Sequence, residues 1–107
     1  MSEVLLVMTN TPDIGVARKI AAHLLEKKLA ACVNIVSACE SHYRWRGKLE
    51  SAGEVQVLIK STAGRYAEIE AAILAVHTYE LPEIIAVPVL KGSPGYLAWV
   101  AEETATL

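Results

Sequence analysis

Val4 to Met8 is an unbroken apolar run, the pattern of a strand covered on both faces. Thr11-Pro12-Asp13 then has the composition of a helix start, with Thr11 as N-cap, Pro12 at the first helical position and Asp13 favourable to the helix dipole. Behind it Ala17, Ile20, Ala21, Leu24 and Leu25 recur at helical spacing, opposite Arg18, Lys19, His23, Glu26 and Lys27. This predicts an amphipathic helix that ends near Leu29. From Ala31 to Trp45 the chain reads as one long strand, with Val33, Ile35, Cys39, Tyr43 and Trp45 on one parity and Asn34, Glu40, His42 and Arg44 on the other.

Gly47 marks a hairpin turn in Arg46-Gly47-Lys48. The return strand alternates, Val55, Val57 and Ile59 against Glu54, Gln56 and Lys60, until Ser61-Thr62-Ala63-Gly64 breaks it. A second helix follows with Tyr66, Ile69, Ile73 and Val76 as its inner stripe, ending around His77. Leu81 to Leu90 is the last strand, and Pro88 within it demands an edge or a bulge because proline donates no ladder hydrogen bond. Ser93-Pro94 opens a short terminal helix with Tyr96, Trp99 and Val100 inward. The order β-α-β-β-α-β plus a helix predicts an α+β, ferredoxin-like sandwich over residues 1–107. Its helices would share one sheet face, yet the first and last strands do not alternate. Packing against other subunits is the economical cover for the second face.

Composition sharpens this. With 107 residues and 53% of them apolar, the chain suits one domain carrying more apolar surface than its volume hides. Ten basic residues against twelve acidic ones leave a formal charge of −2, which gives no footprint for nucleic acid. No run approaches the ~18 apolar residues of a membrane span, and the N-terminus has no basic leader, so a cytoplasmic location is expected. Cys32 and Cys39 stand seven apart in one strand. An odd offset puts them on opposite faces, and two unpaired thiols fit a reducing compartment.

Chemistry is sparse. A metallochaperone of this fold needs a Cys-x-x-Cys after the first strand and an acylphosphatase-like enzyme needs an arginine there, but the segment is Thr9-Asn10-Thr11-Pro12-Asp13. An RNA-binding sheet would show aromatics where Val55, Val57 and Ile59 stand. His23, His42 and His77 lie in separate elements, none beside a nucleophile in a hydrolase motif. His23 falls on a solvated helix face, and Cys39-x-x-His42 has the wrong offset for two ligands in a strand. His77, where the second helix ends, serves the helix dipole as a cation or a metal as a donor, with Glu80 or Glu83 as oxygen partners.

Several phrases together resemble one family: Leu29-Ala30-Ala31-Cys32-Val33-Asn34-Ile35, Tyr43-Arg44-Trp45-Arg46-Gly47-Lys48-Leu49-Glu50, Glu54-Val55-Gln56-Val57, the stretch from His77 to Val89 and Tyr96-Leu97-Ala98-Trp99-Val100. They span nearly the whole chain and are similar to the CutA family of divalent-cation tolerance proteins. The resemblance implies a non-enzymatic homotrimer, its sheets facing the three-fold centre, related in structure to the PII-type trimers that bind small metabolites between subunits. It also implies tolerance to copper and other divalent cations. Where family members bind copper, the donors are a cysteine after the first strand and two adjacent histidines at the end of the second helix. Those positions hold Thr9 and Val76-His77 here, and Thr78 replaces the usual proline. One imidazole per chain implies weak binding of Cu²⁺ or another divalent metal, at His77 with Glu80. Tyr43, Trp45, Lys48 and Tyr79 fall in closely matching stretches and are the candidates for an intersubunit cleft or a packed interface.

Overall fold

The computed structural model describes residues 3–106. Four strands, β1 (Val4–Thr11), β2 (Cys32–Trp45), β3 (Lys48–Thr62) and β4 (Ile84–Pro88), alternate with helices α1 (Ile14–Glu26), α2 (Tyr66–Val76) and α3 (Pro94–Glu103). The sheet order is β2-β3-β1-β4, antiparallel throughout, which is the ferredoxin-like arrangement expected from the element order. Pro88 lies in β4, which among the described residues pairs only with β1 and so forms an edge.

One face of the sheet carries α1 and α2. Val7, Val55, Val57 and Ile59 point toward that face and pack with Ala17, Ile20 and Leu24 of α1 and Ile69 and Ile73 of α2 in one buried cluster. Fully burying each such aliphatic side chain contributes roughly 1.5–3 kcal/mol. The strict alternation of β3 thus has the meaning expected of it.

Both ends of α1 differ from the sequence expectation. Thr11 is not the N-cap: it continues β1 opposite Val55, fully buried, and its hydroxyl donates to the Asp13 and Val55 carbonyls at 2.9 and 3.2 Å. Asp13 caps instead, its Oδ1 accepting from the Val16 N–H at 2.9 Å. The helix stops at Glu26 because Lys28 takes φ 56°. The Leu29 N–H then reaches back to Leu24 O at 2.8 Å and the Lys28 N–H to Leu25 O at 3.1 Å. This is a Schellman closure made without glycine, and Leu29, now buried, folds over the helix end.

The largest correction concerns β2. Its register jumps between Val36↔Gln56 and Cys39↔Glu54, so one extra residue is inserted, with Ala38 at φ 64°. Val33 and Ile35 face the helices opposite Ile59 and Val57, but Cys39, Tyr43 and Trp45 stand opposite Glu54, Glu50 and Lys48, on the other face. The single parity from Val33 to Trp45 is therefore broken in the middle. Cys32 and Cys39 share the second face rather than opposing faces, and both thiols are free. Beyond Val55, among the described residues, only β2 pairs with β3, so residues 39–54 form a two-stranded arm. Its two-residue turn holds Arg46 at φ 50° and Gly47 at φ 81°, the paired positive values of a type I′ hairpin.

The second face carries Leu6, Met8, Leu58, Val36, Ile85 and Val87 by register. Val36, Ile85 and Val87 remain 44%, 49% and 42% exposed. α3 covers only one end of it, where Val100 is buried and the Thr104 and Thr62 hydroxyls meet at 3.3 Å. Tyr96 and Trp99 do not point inward as expected; they lie against each other at 5.5 Å, 42% and 39% exposed. β4 is also shorter than the Leu81–Leu90 span, because residues 78–83 form a loop.

Candidate functional site

The loop is held in place by His77. As C-cap of α2, its backbone N–H bonds Ile73 O at 2.9 Å while its own backbone turns extended. Its Nε2 lies 2.7 Å from Asn10 O, and its Nδ1 accepts the Tyr79 N–H at 3.2 Å. A carbonyl on one nitrogen and an N–H on the other select the neutral ring with its proton on Nε2. Tyr79 then tilts against the imidazole, ring centres 4.8 Å apart, and its hydroxyl donates to Glu54 Oε2 at 2.8 Å. Burial first, and Glu54 second, hold this phenol above its ordinary pKa of 10.

A second clasp joins loop and arm. Arg46 Nη2 donates to both Glu80 oxygens, at 2.9 and 2.7 Å, while its guanidinium lies 5.2 Å from the centre of the Trp45 ring. Between loop, arm and the end of β1 a cleft of about 600 Å³ opens, lined by Asn10, Tyr43, Trp45, Glu54, Tyr79 and Glu83 among others. That volume lies in the range of small-molecule sites. The Asn10 amide nitrogen donates to Glu83 Oε1 at 3.4 Å, and its oxygen is buried with no hydrogen-bond partner. Among the described residues, no three His, Cys, Asp or Glu side chains come together as a set of metal donors.

The sequence candidates fall into three places. Tyr43, Trp45, Tyr79 and Glu80 line the cleft. His77 stands behind its wall with both ring nitrogens engaged. Lys48 is exposed at the hairpin and is not part of the lining. Thr9 is fully buried on the helix-facing side of β1, with a hydroxyl that has no partner among the described residues. Sequence reasoning missed Asn10, Glu54 and Arg46. Asn10 had no clear signal: it stands in the polar Thr9-Asn10-Thr11 stretch after the apolar run, which the structure shows to continue β1.

Comparison with known proteins agrees with this architecture. Residues 5–103 match the family described as CutA1 divalent ion tolerance protein. The divalent-cation tolerance protein CutA of Thermus thermophilus is 41% identical over 104 residues, covering 97% of this chain and 99% of that one. The human protein CutA is 40% identical over 96 residues, 90% of this chain, which spans only 54% of the human sequence. The crystal structure of CutA from Xylella fastidiosa superposes with a TM-score of 0.93 at 40% identity, covering 97% of this chain and 100% of that one. With family, relatives and fold in agreement along nearly its whole length, the chain belongs to the CutA1 divalent-ion tolerance family.

Proposed function

We propose that this chain serves divalent-cation tolerance as a non-enzymatic, cytoplasmic homotrimer that takes up Cu²⁺ or another divalent ion weakly. The observation that carries the assembly is the uncovered apolar sheet face around Val36, Ile85 and Val87, which water does not suit and a second copy does. Free Cys32 and Cys39 favour a reducing compartment. Weak uptake follows from His77: an ion bound there must displace the contacts to Asn10 and Tyr79, and Glu80 must leave Arg46 to assist. Native mass spectrometry during Cu²⁺ and Zn²⁺ titration tests this. A trimer that loads metal only at excess, with uptake reduced in His77→Ala and in Glu80→Gln, is the expected result. Tight stoichiometric loading unaffected by either substitution, or a persistent monomer, would overturn it.

A second reading is favoured by the cleft itself. Its volume and aromatic lining suit an organic molecule better than a bare ion, so the chain would act as a regulatory module binding a small metabolite, as the PII-type proteins do between their subunits, with this cleft's lining supplied by one chain.

A further inference from the structure

We infer that the cleft selects a small organic cation bearing N–H donors, an alkylammonium or guanidinium group. This rests on the reading of the cleft as a small-molecule site and names the chemistry it takes. The charge on its walls is one-sided. Of the three carboxylates lining it, Glu80 is neutralised by Arg46. Glu54 and Glu83 have no basic residue within ion-pair distance among the described residues; their partners are the Tyr79 hydroxyl and the Asn10 amide. His42 at the rim is taken up by Glu40, 2.6 Å away. An anion entering here would meet two carboxylates and no free cation.

The hydrogen-bonding sense agrees. Glu54 and Glu83 each accept one hydrogen bond, from the Tyr79 hydroxyl and the Asn10 amide, and each carboxylate keeps further acceptor sites for an N–H. A quaternary ammonium group offers those carboxylates no hydrogen, whereas a primary ammonium or guanidinium donates to them in charge-assisted bonds. Tyr43, Trp45 and Tyr79 supply ring faces to which cations are attracted. The molecule already makes this contact once: Arg46, laid near the Trp45 ring and forked onto Glu80, shows ring and carboxylate accepting a guanidinium at the rim.

Trp45 fluorescence in a Trp99→Phe background reports on the cleft directly. The intact protein is titrated with butylammonium and butylguanidinium, with tetramethylammonium and butyrate as controls and Cu²⁺ alone as a competitor. The expected result is saturable quenching by the two N–H cations that weakens with added salt. It should also weaken at least tenfold in Glu83→Gln and in the Glu54→Gln/Glu83→Gln double variant. Glu83→Gln lies in an exposed loop, so it tests the idea even if the double variant fails to fold. Saturation by butyrate instead would overturn the cation preference while leaving a small-molecule cleft. No response to any organic probe would overturn both, as would Trp45 emission that changes only with protein concentration, the signature of a second copy filling the cleft. Saturation by Cu²⁺ alone would overturn the inference in favour of a metal site.

Discussion

Thr9 and Tyr79 show how single side chains here depart from neutrality. The Thr9 hydroxyl is fully buried without a partner among the described residues, so Thr9→Val removes a desolvated polar group at constant shape. Urea unfolding at fixed protein concentration should show no loss, and up to ~1–2 kcal/mol of gain. Tyr79 acts through pH. Its folded pKa lies above the unfolded value near 10, chiefly through burial and then through Glu54. The folded chain therefore keeps a proton that the unfolded chain gives up, and this contribution is present in full below about pH 10 and is lost as pH rises beyond it. Tyr79→Phe should flatten the alkaline limb of a stability-against-pH curve. An unchanged limb would mean that the phenol is free in the folded protein.

At the scale of elements, the arm is governed by two backbone positions of opposite chemistry. Ala38 at the bulge and Gly47 at the turn both hold positive φ, 64° and 81°. Ala38→Gly should stabilise by about 0.5–1 kcal/mol by relieving the Cβ, and Gly47→Ala should cost about as much by introducing one. Thermal unfolding of both variants checks the signs. The same positions mark the limit of what the sequence disclosed. Period-two alternation in β3 and 3.6-residue spacing in α1 and α2 made the sandwich legible, because the buried set of an element repeats regularly. The bulge follows from register with a partner strand and has no glycine to betray it, so Cys39, Tyr43 and Trp45 read as belonging to the wrong face. α1 was overextended for a related reason, since its closure uses Lys28 where glycine is the usual sign. The cleft was half visible: its aromatic residues and Glu54 lay in recognisable phrases, but Glu54 read only as the polar side of an alternating strand, and Asn10 joined the cleft through strand pairing with partners distant in sequence.

The whole molecule measures 44 × 26 × 22 Å, elongated for its length because the arm projects beyond the four-stranded sheet. A two-stranded ribbon is marginal in water on its own. Here the Tyr79–Glu54 and Arg46–Glu80 bonds tie one side of it to the 78–83 loop. The apolar sheet face makes the larger demand. Val87→Asp places a carboxylate on that face, where Val87 is 42% exposed in the single chain, and should leave no soluble folded protein if the homotrimer is obligate. A well-folded monomer of this variant, seen by sedimentation and circular dichroism, would contradict the proposed assembly.

The inserted residue at the bulge constrains how the arm can change length during descent. With the bulge kept, everything distal to it holds its facing only while the residue count between Val36 and the turn keeps its parity. Loss of the inserted residue itself would close the bulge and leave Tyr43 and Trp45 opposite Glu50 and Lys48 on the same face, whereas loss of one residue beyond Cys39 with the bulge kept would swing them to the helix-facing side. Matched gains of two residues on each strand would lengthen the arm and leave its facing intact. Length variation in this arm should therefore come in even steps, with a change in Ala38's neighbourhood wherever an odd step survives.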